Sequence, residues 1–241
     1  MKTEAPIQLS DFQLPQLTEE QKRRVEQRER EKREREEREE YEMRAPWRKY
    51  KEHGYDKLTL ESYFVTEENE AKLKQQEAIK IVRDYINQIG PNVDEGYGLT
   101  FAGRVGTGKD HLACIVLEAS SRLFVQHHRG IAELANSRRI MRAYGTNSSG
   151  DFDRLCSVQV LLLSDPVSGG IDATNSKMQA LNDLIGARYD KKLVTHITIN
   201  AQYKSQAEEM LGSPAWDRLK QMNIDVGCTW DSYRAKIGEW K

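Results

Sequence analysis

The chain has only three cysteines, Cys114, Cys156 and Cys228, far apart and with no CxxC pair. That spacing excludes a disulfide framework and the ligand pattern of a zinc finger or ribbon, and leaves reduced thiols in or near a core. No apolar run approaches the roughly 18 residues of a membrane-crossing helix, and the N-terminus lacks the apolar stretch of a signal peptide. A soluble, cytoplasmic protein is expected. Charge of one sign is also lacking: 37 Lys plus Arg against 38 Asp plus Glu give a net charge of −1. No global basic field exists to attract nucleic acid, so any such site has to be local. Apolar residues make up 38% and charged residues 31%, so some segment must be solvated, yet 10 Tyr, 5 Phe and 4 Trp remain for a core. A length of 241 residues suits one domain with an appendage.

Residues 19–44, EEQKRRVEQREREKREREEREEYEMR, account for the polarity, with 11 acidic and 10 basic side chains in 26 positions. Glu precedes a base by four positions at Glu20/Arg24, Glu26/Arg30, Glu29/Arg33, Glu31/Arg35, Glu34/Arg38 and Glu40/Arg44, the orientation that supports an isolated helix. Val25, Tyr41 and Met43 supply no a/d seam for a coiled coil, so a long solvated helix is predicted, serving as a spacer or as a partner-binding arm. It should end near Ala45-Pro46, because the residue before a proline disfavours the α region. The organisation expected is a flexible N-terminus (1–18), a charged helical arm (19–46), a tether (47–66) and a folded domain (67–241).

Within that domain, Ile79, Val82, Ile86 and Ile89 share one face of a helix over 67–89, which should pack on a core. Strands are predicted at YGLTFA (97–102), FVQH (124–127), VQVLLLSD (158–165), VTHITIN (194–200) and VGCTW (226–230). Helices are predicted around 131–143, 176–190, 203–211 and 214–222. The continuous apolar run in VLLL reads as a strand buried on both faces. The fold class is therefore α/β, a mostly parallel sheet flanked by helices and preceded by the long charged helix. The adjacent His127 and His128 would point to opposite faces of a strand and so not share a metal.

Between the first strand and its helix lies Gly103-Arg-Val-Gly-Thr-Gly-Lys109-Asp110, which fits G-x-x-x-x-G-K-[ST] at every defined position but the last. Glycines let backbone N–H groups close around phosphates, the following helix N-terminus adds a favourable dipole, and Lys109 reaches the terminal phosphates. The nucleotide contacts expected are Gly103, Val105, Gly106, Thr107, Gly108, Lys109, Asp110 and His111. Asp110 replaces the hydroxyl that normally ligates Mg²⁺, and a carboxylate there could bind the metal directly or through water. A second acid, Asp165, ends the apolar strand and would orient Mg²⁺ or its water. Pro166 follows it and cannot accept a proton, so the usual water-activating Glu is missing, and either hydrolysis is slow, another acid such as Asp172 substitutes, or ATP is bound without turnover.

With LTLESYF (58–64), FAGRVGTGKDHLA (101–113), LLLSD (161–165), ITIN (197–200), WDRL (216–219) and WDSYR (230–234) in place, the chain resembles the DnaC-type helicase loaders of the AAA+ ATPases, a branch shared with IstB transposition proteins. The resemblance spans about residues 57–236. It implies an AAA+ P-loop domain using ATP and Mg²⁺, with Asn200 as the polar sensor of the γ-phosphate, Arg218 as the arginine given to a neighbouring subunit and Arg234 as a second sensor. An arginine acting in trans implies self-association into an ATP-dependent spiral. Partners implied are a hexameric replicative helicase, contacted by the N-terminal region, and single-stranded DNA, for which Arg138, Arg139, Arg142 and Tyr144 form the local basic cluster. An IstB-like role with a transposase, and an interaction protein with a relict nucleotide site, are the rival readings.

Overall fold

The structure, a computed structural model, describes residues 19–44, 59–63, 65, 67, 69–127, 130–145, 149–167 and 175–233. The chain divides into two compact units, Met1–Met43 and Arg44–Lys241. In the first, helix α1 spans Glu19–Arg44. Its described side chains lie in solvent, and Arg30 pairs with Glu34 at 3.2 Å, the reverse of the Glu-first order read from the sequence. The expected N-terminus (1–18), most of the tether and His128 lie outside the described residues.

The second unit begins its described part with a single helical turn, Leu60–Ser62, followed by the buried Tyr63. Then come α2 (Asn69–Asn87), α3 (Ile89–Glu95), β1 (Gly98–Gly103), α4 (Lys109–His127), β2 (Ala132–Asn136), α5 (Ser137–Gly145), α6 (Ser149–Leu155) and β3 (Val160–Ser164). The chain continues through α7 (Asn175–Asp190), β4 (Val194–Ile199), α8 (Lys204–Leu211), α9 (Ser213–Met222) and β5 (Asn223–Cys228). The five strands form one parallel sheet in the order β2-β3-β4-β1-β5. In such a sheet every strand ends at the same edge, where ligands of open α/β folds bind. No described helix is long and apolar enough to cross a membrane.

Alternation along the strands builds two cores. Leu161 and Leu163 of β3, with Ile197 and Ile199 of β4, join Leu181, Leu184, Trp216 and Leu219 of α7 and α9. By the period of two, Val160 and Leu162 point to the other face, where α4 packs on the sheet and α2 packs on α4. Both faces are thus covered, which is why β3 and β4 read as unbroken buried runs.

Two sequence expectations are corrected. FVQH (124–127) is the last turn of α4 rather than a strand. A short apolar run is ambiguous in period, and here Leu117 and Phe124, seven residues apart, keep to the buried side of one uninterrupted helix. Residues 132–136 are β2 rather than the start of a helix over 131–143, because pairing along β3 overrides the helix propensity of Ala, Glu and Leu. The helix starts one residue after the strand, where Asn136 Oδ1 accepts the Arg139 N–H at 3.0 Å as an N-cap. Helix α6 had no counterpart in the sequence reading.

Below the sheet, Arg188 at the end of α7 is fully buried. Its guanidinium donates to Thr195 Oγ1 at 2.9 Å and to the carbonyls of Leu155 (2.7 Å), Val158 (2.8 Å) and Val194 (2.6 Å). Burial pulls its pKa down from the usual arginine value, and these acceptors, tying α6, β3 and β4 together, hold the cation in place. Arg188→Ala should strip the charged donor from three buried carbonyls and cost about 3 kcal/mol or more. Urea denaturation measures it, and a loss under about 1 kcal/mol would contradict this account.

Candidate nucleotide site

At the carboxyl end of β1 the chain must turn sharply into α4, and the glycines make the turn possible. Gly106 and Gly108 both sit at φ +83°, in the left-handed region where a side chain is strained. A Cβ on Gly108 would also lie 2.8 Å from the Tyr63 hydroxyl, and one on Gly103 would collide with the Cys228 carbonyl of β5. Lys109 opens α4 and is buried, its Nζ donating to the Arg104 carbonyl across the loop at 2.5 Å. Thr107 Oγ1 donates to the same carbonyl at 2.9 Å. Val105 stands 54% exposed on the rim, whereas His111 is half-buried with its ring 5.3 Å from that of Tyr63. Burial lowers the His111 pKa below the usual imidazole value.

The sheet order brings the acids to this loop, because β4 lies between β1 and β3. Thr198 of β4 is the connecting residue. Its hydroxyl donates to Asp110 Oδ1 at 2.8 Å and accepts the Asp165 N–H at 3.0 Å. Ser164 Oγ donates to the same Asp110 oxygen at 3.1 Å. The carboxylate in the place of the usual hydroxyl is thus matched by hydroxyls on two strands. Asp165 ends β3 with φ +43°, a conformation costly for a non-glycine residue. Its Oδ2 accepts Asn200 Nδ2 at 2.9 Å, while its Oδ1 is buried without a hydrogen-bond partner among the described residues. Burial raises the Asp165 pKa above the usual carboxylate range, the Asp110 charge adds to this, and Lys109 opposes it.

The residues present fit a phosphate-bound Mg²⁺. Among the described residues no group of three or more His, Cys, Asp or Glu could cage a metal. Two neighbouring carboxylates, one with a buried oxygen lacking a donor, suit an ion that takes its other ligands from phosphate and water.

The remaining predicted residues divide. Arg218 of α9 rests against Gly186 of α7, where a Cβ would lie 3.4 Å from its Nη1, and among the described residues it makes no hydrogen bond or ion pair. Arg234 and Asp172 lie outside the described residues. Arg139 is engaged within the fold: its Nη2 meets Glu133 at 2.7 Å and Asp151 at 2.8 Å, and its Nη1 donates to the Leu134 carbonyl at 2.9 Å. That contact holds the Asp151 carboxyl below the usual range, and Arg154 also pairs with Glu133. Tyr144 donates to Asp183 of α7 at 2.8 Å. Arg138 and Arg142 are the members of the basic cluster that face solvent.

Sequence reasoning missed the residues that surround the loop. Tyr63 Oη and Trp230 Nε1 both donate to the Thr107 carbonyl, at 2.8 and 2.9 Å, and the Tyr233 N–H donates to the Gly106 carbonyl at 2.9 Å. The only sequence signal was their presence in LESYF and WDSYR.

No family model matches the sequence. The replicative helicase loader DnaC of Escherichia coli strain K12 is 26% identical over 172 residues, covering 68% of this chain and 65% of that protein. The DnaC of Buchnera aphidicola subsp. Baizongia pistaciae is 26% identical over 192 residues, covering 76% of this chain and 72% of the relative. The chain thus spans less than two-thirds of the length of the Escherichia coli relative, 65%, and 72% of the Buchnera one. A crystal structure of the DnaC helicase loader superposes with a TM-score of 0.59 at 21% identity, over 70% of this chain and 96% of that one. The DnaI crystal structure gives 0.54 at 15%, over 72% and 89%. The architecture is the AAA+ fold of these proteins.

The like charges at Asp110 and Asp165 give a signed expectation for the nucleotide-free protein. A carboxyl whose folded pKa is raised weakens the fold at neutral pH, and the penalty is relieved as pH falls through that raised value. Asp110→Asn should therefore be more stable than the parent at pH 7 to 8 in Mg²⁺-free buffer. The difference should shrink on acidification, since protonating Asp165 removes the repulsion in the parent. Chemical denaturation across pH measures it, and a pH-independent difference would contradict the coupling.

Proposed function

We propose that this chain, similar in sequence to the DnaC replicative helicase loaders and sharing their AAA+ fold, is an ATP-binding replication protein that delivers a hexameric helicase to single-stranded DNA in the cytoplasm. The observation that carries this reading is the convergence of Lys109, Asp165 and Asn200 at the ends of adjacent strands. A glycine loop alone could be a turn. A buried lysine, a strand-end acid and a strand-end amide gathered beside it are the set needed to grip a triphosphate.

The loop amides and the Lys109 ammonium hold phosphate oxygens, and the helix N-terminus of α4 adds its dipole. Asp165 and Asp110 would hold Mg²⁺, which supplies charge neutralisation at the phosphates when bound. Asn200, fixed by Asp165, presents its remaining amide hydrogen towards the γ-phosphate or its water. Pro166 after Asp165 offers no proton acceptor, so ATP binding outlasts turnover and hydrolysis is slow. Arg218 reaches the nucleotide of a neighbouring copy, so ATP joins subunits into a spiral, a role that suits a cation with no hydrogen bond or ion pair among the described residues. Arg234 serves as the second sensor. Arg138 and Arg142 contact DNA phosphates, with Arg139 positioning their helix through Glu133 and Asp151, and the charged arm engages the helicase.

Lys109→Ala should weaken ATP binding about tenfold to a hundredfold, the range for one charge-assisted hydrogen bond, as measured by calorimetry. Unchanged affinity would favour a relict site. Pro166→Glu should raise ATP turnover above that of the parent, and background turnover with tight binding would show that more than the base is missing. With the whole chain as bait in a lysate of its source cell, ATP should promote retention of a replicative helicase, and removal of residues 1–46 should abolish it. Retention of a transposase instead would move the reading to the IstB-like role.

A further inference from the structure

Three segments distant in sequence meet on the outside of the phosphate loop. Tyr63 lies before the sheet begins, 5% exposed; Trp230 lies after it ends, 3% exposed. Both polar tips point at one atom, the Thr107 carbonyl oxygen. Three residues beyond Trp230, the Tyr233 N–H takes the preceding carbonyl, that of Gly106. Tyr233 is itself held, its hydroxyl accepting Gln75 Nε2 of α2 at 2.6 Å and its ring standing edge-on to Tyr63 at 6.3 Å. A carbonyl has two lone pairs, so the Thr107 oxygen is satisfied by two donors at once, and both donors are among the more rigid side chains a protein has.

The consequence follows from the planarity of the trans peptide. In each unit the C=O and the next N–H point in opposite directions. Tying the Gly106 and Thr107 carbonyls outward therefore turns the Thr107 and Gly108 N–H groups the other way. Gly106 and Gly108, both at φ +83°, flank Thr107, and this alternation makes successive amides converge on a concavity that takes an anion. Without the outer donors, either peptide unit could rotate and put a carbonyl dipole where a phosphate oxygen has to sit.

We infer that Tyr63 and Trp230 are positioning residues of the nucleotide site, which fix the phosphate-facing amides of the loop by pinning the Thr107 carbonyl from outside. The inference rests on the nucleotide-binding reading above and extends it to residues that touch no phosphate. It predicts an effect common to ATP and ADP, since the amides serve phosphates that both carry. It also predicts that the two donors act through one acceptor, so that losing both is worse than the product of the single losses.

The test uses Tyr63→Phe, which removes only the hydroxyl, and Trp230→Phe, which removes the indole N–H together with part of the ring, with a control matched to the tyrosine variant. Tyr85→Phe removes an equally buried tyrosine hydroxyl from a backbone carbonyl, that of Tyr97 at 2.7 Å, just before β1 and on the far side of the strand from the loop. Calorimetric titration with MgATP and with MgADP is expected to show each loop variant weakened about three- to tenfold for both nucleotides. The double variant should lose more than the product of the two factors, and Tyr85→Phe should bind as the parent does. Thermal unfolding without nucleotide should show Tyr63→Phe and Tyr85→Phe lowered by similar amounts. Parent-like affinity in both loop variants would overturn the inference while leaving the nucleotide reading intact, as would equal weakening in all three, which would mark a global stability effect. Absence of ATP binding by the parent would overturn the reading and the inference together.

Discussion

The nucleotide site depends on one hydroxyl. Thr198 sits on the strand between the one that leads into the phosphate loop and the one that ends in the acid, and its oxygen serves both neighbours, as donor to Asp110 and as acceptor from the Asp165 backbone. Two carboxylates so close would repel and drift towards water. Here one is held by two hydroxyls, and the other by its own backbone and by Asn200. The strained backbone at Asp165 is tolerated because these bonds over-determine it.

Seen from this centre, the rest of the domain is support at graded distance. The parallel sheet with both faces covered puts three strand ends at one edge. The aromatic residues outside the loop hold its carbonyls, and the fully buried Arg188 ties the opposite ends of the strands together. Asp110 departs from the usual hydroxyl without vacating its place, since Ser164 and Thr198 supply hydroxyls to it. Pro166 is a different departure: no neighbouring side chain in the described site replaces a base at that position.

The basic cluster on α5 shows why composition is a poor guide to surface function. Four residues were grouped by proximity in sequence, yet the helix turns Arg139 onto Glu133 and Asp151, and Tyr144 is taken up by Asp183. Only Arg138 and Arg142 face outward. A charge count cannot distinguish a cation that welds an edge strand to its helices from one that faces solvent, because the difference lies in residues contributed by other elements.

The sequence by itself determined the chemistry of the loop and the class of fold. Glycine spacing, Lys109, the apolar run into Asp165 and the strand-end Asn200 are local patterns, and backbone sterics and side-chain periodicity act locally. The charged helix was likewise legible, since its support comes from neighbours within one or two turns. What only the tertiary structure decided were the elements whose local preference was weak or contrary: β2, drawn from helix-forming residues by pairing with β3, and the end of α4, whose apolar residues could suit either period. It also decided the partners of Thr198, Arg188, Tyr63 and Trp230. Those side chains bond to groups between 6 and 123 positions away. Most of those bonds exist only once the strand order is set, and no pattern along the chain encodes that order.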